Sequence, residues 1–520
     1  MTWDLARLWH ELAGQQPNRV ALIHDGITLS WRQFDTAAAG FAQTLRQAGI
    51  RRGDVVALCL PNALDYLILL AGTMRCAASA CGVNYRYRPH ELTALLKHLR
   101  PAAVCHRRDA DTRQARSALP GVRLWHATDD NPATAGLTRL LDVGADANRL
   151  DSHPDDVLLK CTGGTTGSPQ AVRWRIGDIV TQLNDHNPWH RHDLGDGWPQ
   201  PPVGQPVRLL VASPLMHGSG LTRALGALCA GGTVITMPGR FDPHRVLNTL
   251  ATHKATSLAL VGDAHALPLA EALDAAPQRW PLTDLATITS SGAGWTETVK
   301  RRLLRRLPHV SLLESLGSTE ATGLGFGIAT ADRIPPTGQF TLGRHAQVFT
   351  DTGHPARPGQ TGRVGVSRPH PAGLHPTGSL PADAFVEHHG RRYLLSGDHV
   401  RLIDDRLMQL LGRPAECINT GGEKVYAPEV ADVLRRHPGV RDALVVGLPH
   451  PRLGQTVTAL VQLRPGTATF AVLAHAKTHL AGYKVPTTVI GVRSIPRTPA
   501  GKPDLDAARS LALQQIGGTQ

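Results

Sequence analysis

The sequence predicts an α/β fold: a large multi-subdomain N-terminal domain with mixed sheets and helices, then a small α+β domain. Helical and strand-like patterns alternate from the N-terminus to about residue 150, and again over 207–320. After Gly412-Arg413 the pattern turns to a compact α+β type. A boundary at 412–416 gives domains of 1–412 and 413–520.

Phe34 to Ala48 is amphipathic and reads as a helix, Arg52 to Cys59 as a turn and buried strand, and Glu91 to Leu99 as a helix. Asp156 to Lys160 and the alternating Ala171-Val-Arg-Trp-Arg175 read as two short strands. Residues 185–205, rich in Pro, Gly and His, read as a surface excursion. Arg208 to Ala212 and Thr233 to Met237 are strand patterns, and 330–390 is dense in Gly, Pro and His with short strands. In the small domain a helix is expected over Pro428 to Arg436, with strands over Ala443 to Gly447 and Val457 to Leu463.

Between the two short strands lies Thr162-Gly163-Gly164-Thr165-Thr166-Gly167-Ser168, three glycines and four hydroxyl residues in succession. Glycine lets the main chain approach a ligand closely, and N–H and hydroxyl groups can face phosphate oxygens. The loop ends without Gly-Lys-Ser/Thr and leads into a strand, so it is not a Walker loop.

Composition sets the remaining bounds. Hydrophobic content of 42% and charged content of 19% are those of a globular protein, and no apolar run approaches the length of a membrane span. The N-terminus lacks a signal-peptide pattern, and seven cysteines without a Cys-x-x-Cys read as thiols in a reducing cytoplasm. The net charge of +13 comes from basic residues scattered along the chain, which argues against nucleic acid and suits anionic small molecules. Only eight of the 55 basic residues are lysine, so each lysine inside a motif-like string draws notice.

Five further strings follow in order: Ser213-Pro-Leu-Met-His-Gly218, Ser291-Gly-Ala-Gly294, Glu314-Ser-Leu-Gly-Ser-Thr-Glu320, Tyr393-Leu-Leu-Ser-Gly-Asp398, and Gly412-Arg413 with Gly421-Gly-Glu-Lys-Val425. Near the end stands Pro496-Arg-Thr-Pro-Ala-Gly-Lys502. With Val83-Asn-Tyr-Arg-Tyr87 and Leu480 to Pro486, the chain resembles the adenylate-forming superfamily along its whole length, and within it the fatty acyl-CoA synthetases most.

That resemblance implies an ATP-dependent, AMP-forming acid:CoA ligase. A carboxylate and ATP would give an acyl-adenylate and pyrophosphate, after which the thiol of CoA would displace AMP. Because the first step joins two anions, charge stabilisation should dominate it. By the same resemblance, Lys502 is the catalytic lysine, Glu320 the Mg²⁺ ligand and Thr319 a contact to the α-phosphate. Asp398 and Arg413 would hold the ribose, while Gly292 and Ala293, with Leu316, Gly317 and Ser318, would border the adenine. His217 would border the carboxylate. Met216, Gly218, Leu221, Gly294, Trp295 and Gly323 are the expected pocket walls, with Gly218 and Gly220 leaving space and Trp295 closing it. The small domain would act as a mobile lid, presenting Lys502 first and then the strip with Gly421, Gly422 and Lys424 for thiol transfer.

The chain departs from the family pattern in places. The phosphate loop ends Pro169-Gln170-Ala171 where Pro-Lys-Gly is usual, losing a charge-assisted contact of roughly 1.5–3 kcal/mol. Ala415 stands at the usual Asp or Lys hinge position, and Leu316 replaces an aromatic residue. These departures keep other outcomes open: transfer to a carrier-protein thiol, nitrite activation for diazotisation of an aryl amine, or nucleotide binding without turnover. His186, His190 and His192 lack cysteines and suitable spacing for zinc. His217 with Ser219 forms no nucleophile elbow.

Overall fold

Parallel strands organise the large domain, and their apolar runs explain why. Thr233–Thr236 and Ser257–Leu260 are buried at every position, as expected of strands covered by helices on both faces. The computed structural model describes the chain except residues 1–2, 88, 109, 129–134, 145–148, 162–170, 187–205, 377, 413–416, 421–422, 451–453, 481, 499–500 and 518–520; side chains are also outside the description at 135, 184–186, 417, 419, 423–424, 454 and 517.

Among the described residues, one sheet of 14 strands runs through the large domain. Its centre is parallel: Val20–His24, Thr233–Thr236, Arg208–Val211, Ser257–Leu260, Thr287–Ser291 and Ser311–Leu316 lie side by side in that order. Antiparallel strands extend it, from Gly325–Ala329 to the long Arg391–Leu402 and Leu407–Gly412. A second sheet of seven strands has the parallel core Leu124–Thr128, Ala103–Arg107, Val55–Cys59, Ser79–Gly82 and Val157–Cys161, with Ala171–Arg175 antiparallel beside it.

Local chemistry sets the helix starts. The expected helix at Phe34 begins earlier, at Trp31–Gln47, because Ser30 and Gln33 cap it reciprocally: Gln33 N donates to Ser30 Oγ at 3.2 Å, and Ser30 N to Gln33 Oε1 at 2.9 Å. Asp4 opens Leu5–Gln15 and Thr296 opens Glu297–Arg306 with a one-way cap, each side chain accepting from the backbone N–H three residues on. Leu64–Arg75 is buried almost all round and is a core helix. No helix among the described residues is long and apolar enough to cross a membrane.

The chain leaves the large sheet at Gly412 and enters a separate five-stranded sheet at Cys417. Its long pair, Val440–His450 and Gly454–Leu463, is antiparallel, and the helices Ala427–Arg435 and Thr469–His479 pack on it around Ile418, Val430, Leu434, Val445 and Val472. The helix expected at Pro428 thus starts one residue sooner, with proline in its first turn.

Candidate active site

In open α/β sheets, ligands bind beyond the carboxyl ends of the parallel strands, and the motif strings cluster there. Arg208–Val211 leads into Ser213–Gly218, Thr287–Ser291 into Gly292–Gly294, and Ser311–Leu316 into Gly317–Glu320. In the second sheet, Ser79–Gly82 leads into Val83–Tyr87, and Val157–Cys161 ends where the Thr162–Ser168 string begins. The two edges face one another. A Cβ on Gly82 would stand 3.0 Å from the Met216 carbonyl oxygen, and Trp174 Nε1 donates to the Thr319 carbonyl oxygen at 2.9 Å.

His217 sits on this seam as the cap residue of helix Gly218–Cys229. Asn62 fixes its approach: Nδ2 donates to the carbonyls of Val211 (3.0 Å) and Ser213 (2.8 Å), and Oδ1 accepts from Leu215 N at 2.7 Å. Burial first, then the charges of Lys502 and Arg86, push the imidazole from 6.5 down to about 4. The ring is therefore neutral near pH 7. Its Nε2 is buried with no hydrogen-bond partner among the described residues, an acceptor or donor left for a ligand.

Lys502 reaches the same place from the small domain. Its tight turn is held by Thr498 N donating to the Lys502 carbonyl at 2.8 Å, with Gly501 at φ +81°. Arg497 anchors that turn to Asp442 at 2.6 Å. The domains also touch through Arg441 and Glu271, 3.0 Å apart.

Thr319 and Glu320 lie in a turn closed by Ser318 N to the Ala321 carbonyl (2.7 Å) and Ala321 N to Ser318 Oγ (3.0 Å). Among the described residues the Glu320 carboxylate has no hydrogen bond or ion pair. Asp398 belongs to strand Arg391–Leu402, not to a turn. The register shifts there, since Gly365 pairs with Leu395 but Arg363 with His399, so Ser396 to Asp398 form a bulge. Bulges re-aim side chains beside sites. His399 pairs with Gly412, which places Asp398 next to the strand end that Arg413 follows.

The pocket walls divide. A Cβ on Gly218 or Gly294 would meet nothing within 4 Å, so both leave open space. Gly220 is a correction: it is buried, and a Cβ there would clash with the Pro214 carbonyl oxygen, so it opens no pocket. Gly292, at φ +83°, adopts a backbone conformation suited to glycine, with Ala293 half-buried beside it. Leu316, Ser318 and Gly323 are half-buried and Gly317 is exposed. Met216 and Leu221 are largely buried in the core. Trp295 is a correction. It is 0% exposed, packed in the core with Val299 and Leu303 and 5.6 Å from the Lys300 ammonium, so it closes no pocket. Thr162 to Ser168, Gln170, Arg413, Ala415, Gly421 and Gly422 lie outside the described residues, as does the Lys424 side chain.

Three residues not singled out from the sequence join the site: Asn62, Trp174 and Lys160. Lys160 is 7% exposed, its ammonium 5.1 Å from the Trp174 ring centroid, and burial alone lowers it to about 8. A lysine inside a buried strand of so arginine-rich a chain was the available signal.

The AMP-binding enzyme family model matches residues 9–373, and the model for the AMP-binding enzyme C-terminal domain matches 429–502. A medium/long-chain-fatty-acid–CoA/3-oxocholest-4-en-26-oate–CoA ligase of Mycolicibacterium smegmatis is 34% identical, with 99% of this chain and 97% of the relative covered. A 3-oxocholest-4-en-26-oate–CoA ligase of Rhodococcus rhodochrous is 32% identical over 97% of this chain and 95% of its own. The fold is similar to that of the anthranilate CoA ligase AuaEII in complex with anthranoyl-AMP: TM-score 0.85 and 19% identity, covering 99% of this chain and 98% of the other. The chain belongs to the AMP-binding enzyme family and is an AMP-forming acid:CoA ligase.

Proposed function

We propose that the reaction centre lies between Lys502, His217 and the Thr319-Glu320 turn. The observation that carries this reading is that His217, buried with an unpartnered Nε2, also feels the charge of Lys502 from the small domain, which adds to burial in lowering the imidazole. A carboxylate oxygen of the acid attacks the α-phosphorus of ATP, and pyrophosphate leaves with the electron pair of the broken P–O bond. Lys502 sets a compact cation between the two anions as they meet. Neutral His217 offers a ring nitrogen to the carboxylate without adding charge. CoA then gives up its thiol proton, its sulfur bonds to the acyl carbon, and AMP leaves.

Glu320 would hold Mg²⁺: a half-buried carboxylate without a described partner suits an ion that keeps waters and takes phosphate oxygens. When bound, the ion would offset phosphate charge. Thr319 is the expected α-phosphate contact, and Asp398 with Arg413 the ribose clamp. Lys160, two positions before the loop, supplies buried positive charge where the loop itself carries Gln170.

We assign residues 1–412 to the adenylating body and 413–520 to a lid that turns to bring Gly421, Gly422 and Lys424 to the thiol. The odd cysteine count suits the cytoplasm. The relatives named for fatty and steroid acids point to an organic acid of extended reach, with Gly218 and Gly294 leaving the room.

The test is pyrophosphate release from ATP and Mg²⁺ against fatty, aryl and amino-aryl acids and nitrite, each with and without CoA. An organic acid should give release and then a CoA thioester. Release with nitrite and an aryl amine alone would replace this reading with diazotisation.

A further inference from the structure

Helix Gly218–Cys229 runs away from His217, and most of its length is core: Leu221, Ala224, Leu225, Ala227 and Leu228 are buried. Arg223 interrupts that apolar face. It shares a helix face with Ser219, one turn earlier. Ser219 in turn borders the site, because a Cβ on Gly292 would stand 4.0 Å from its hydroxyl oxygen. Arg223 Nη2 donates to Ser315 Oγ at 2.6 Å, and Ser315 pairs in register with Ser291. The guanidinium therefore lies across the ends of strands Thr287–Ser291 and Ser311–Leu316, where the Gly292–Gly294 and Leu316–Glu320 segments begin.

A guanidinium has five N–H donors. Among the described residues Ser315 is the hydrogen-bond partner of Arg223, and no carboxylate accompanies it. Burial alone lowers this group to about 10, with no counter-charge acting against the effect. Arg223 is half-buried, and a partly desolvated cation with no counter-charge beside it is the kind of group that a ligand anion completes. Arg223 lies six positions after His217, a helical rise of about 9 Å, shortened because helical side chains lean toward the N-terminus.

We propose that Arg223 is a specificity-determining residue that receives a second carboxylate of the acid substrate. The substrate class is then a dicarboxylic acid whose two carboxylates are about 6–9 Å apart, one reacting beside His217 and the other bidentate on Arg223. The proposal rests on the ligase reading and deepens it.

The experiment compares pyrophosphate release by the full chain with linear dicarboxylic acids of five to ten carbons and the matching monocarboxylic acids. Arg223→Met and Arg223→Lys follow on the same panel. The expected result is a dicarboxylate preference of at least about tenfold in kcat/KM, one good bidentate contact. Arg223→Met should reverse it, raising the dicarboxylate KM while the KM for ATP and turnover of the matched monocarboxylic acid persist; Arg223→Lys should keep part of it. Equal or better use of monocarboxylic acids by the parent chain would overturn the proposal and leave the ligase standing, even should Arg223→Met fail to fold. Loss of both acid types in a folded Arg223→Met would also overturn it, making the residue structural. No release with any acid would remove the ligase reading, and the proposal with it.

Discussion

Trp174 donates its indole N–H to the carbonyl oxygen of Thr319 at 2.9 Å, although 145 residues separate them. The bond ties strand Ala171–Arg175 to the turn carrying Glu320, so one element of each large-domain sheet is held at a fixed distance from the other. Trp174→Phe should destabilise the protein by about 1–3 kcal/mol, from lost packing and an unpaired carbonyl. The KM for ATP should rise about tenfold while that for the acid holds. Pyrophosphate-release kinetics with each substrate varied in turn check this; an unmoved ATP KM would reduce the bond to a structural one.

Removing the lid cation should separate the two half-reactions. Lys502→Ala is expected to slow adenylate formation about 10²–10³-fold, as for loss of one preorganised electrostatic contact. Supplied with synthetic acyl-adenylate and CoA, the same variant should form thioester at the parent rate. Full pyrophosphate release by Lys502→Ala would end its assigned role.

His217 offers a reading of domain docking by pH. Its midpoint, followed by the ring-proton NMR shift, should lie near 4 in the parent and rise in Lys502→Ala, because one of the charges depressing it is gone. The unfolded chain takes this proton near 6.5 and the folded chain only near 4. Stability should therefore fall as pH drops from 6.5 toward 4, and His217→Asn should flatten that slope. An unchanged midpoint in Lys502→Ala would mean the lysine stands elsewhere in solution.

On its proposed role beside the phosphates, Lys160 trades stability for nucleotide binding. Its group is lowered from 10.5 to about 8, so the folded state carries a penalty that is full below pH 8 and gone by about 10.5. Lys160→Met should raise stability by up to about 3 kcal/mol at pH 7 and by almost nothing at pH 10.5. It should also weaken ATP binding, which calorimetry with ATP alone measures. Unchanged ATP affinity would remove Lys160 from phosphate handling.

The parallel strands were legible because burial on both faces leaves a continuous apolar run, as in Leu209-Leu-Val211. The order of the strings along the chain pointed to the family. Direction was not legible. Trp295 follows Gly294 directly, yet one residue of backbone turns it from the site edge into the core beside Val299 and Leu303. Asp398 in Ser-Gly-Asp has the composition of a turn, and only pairing with distant strands makes it a bulge. Trp174 and Arg223 depend on partners 145 and 92 residues away, which no local pattern encodes.

Arg441 and Glu271 join the two domains while staying partly exposed to water, at 45% and 28%. A pair so placed is weak and is screened by dissolved salt. A catch of that kind opens easily, as the proposed lid with two postures requires. On the proposed lid motion, the surrounding electrolyte would govern tempo, setting how long Lys502 stays over the phosphates before the lid turns.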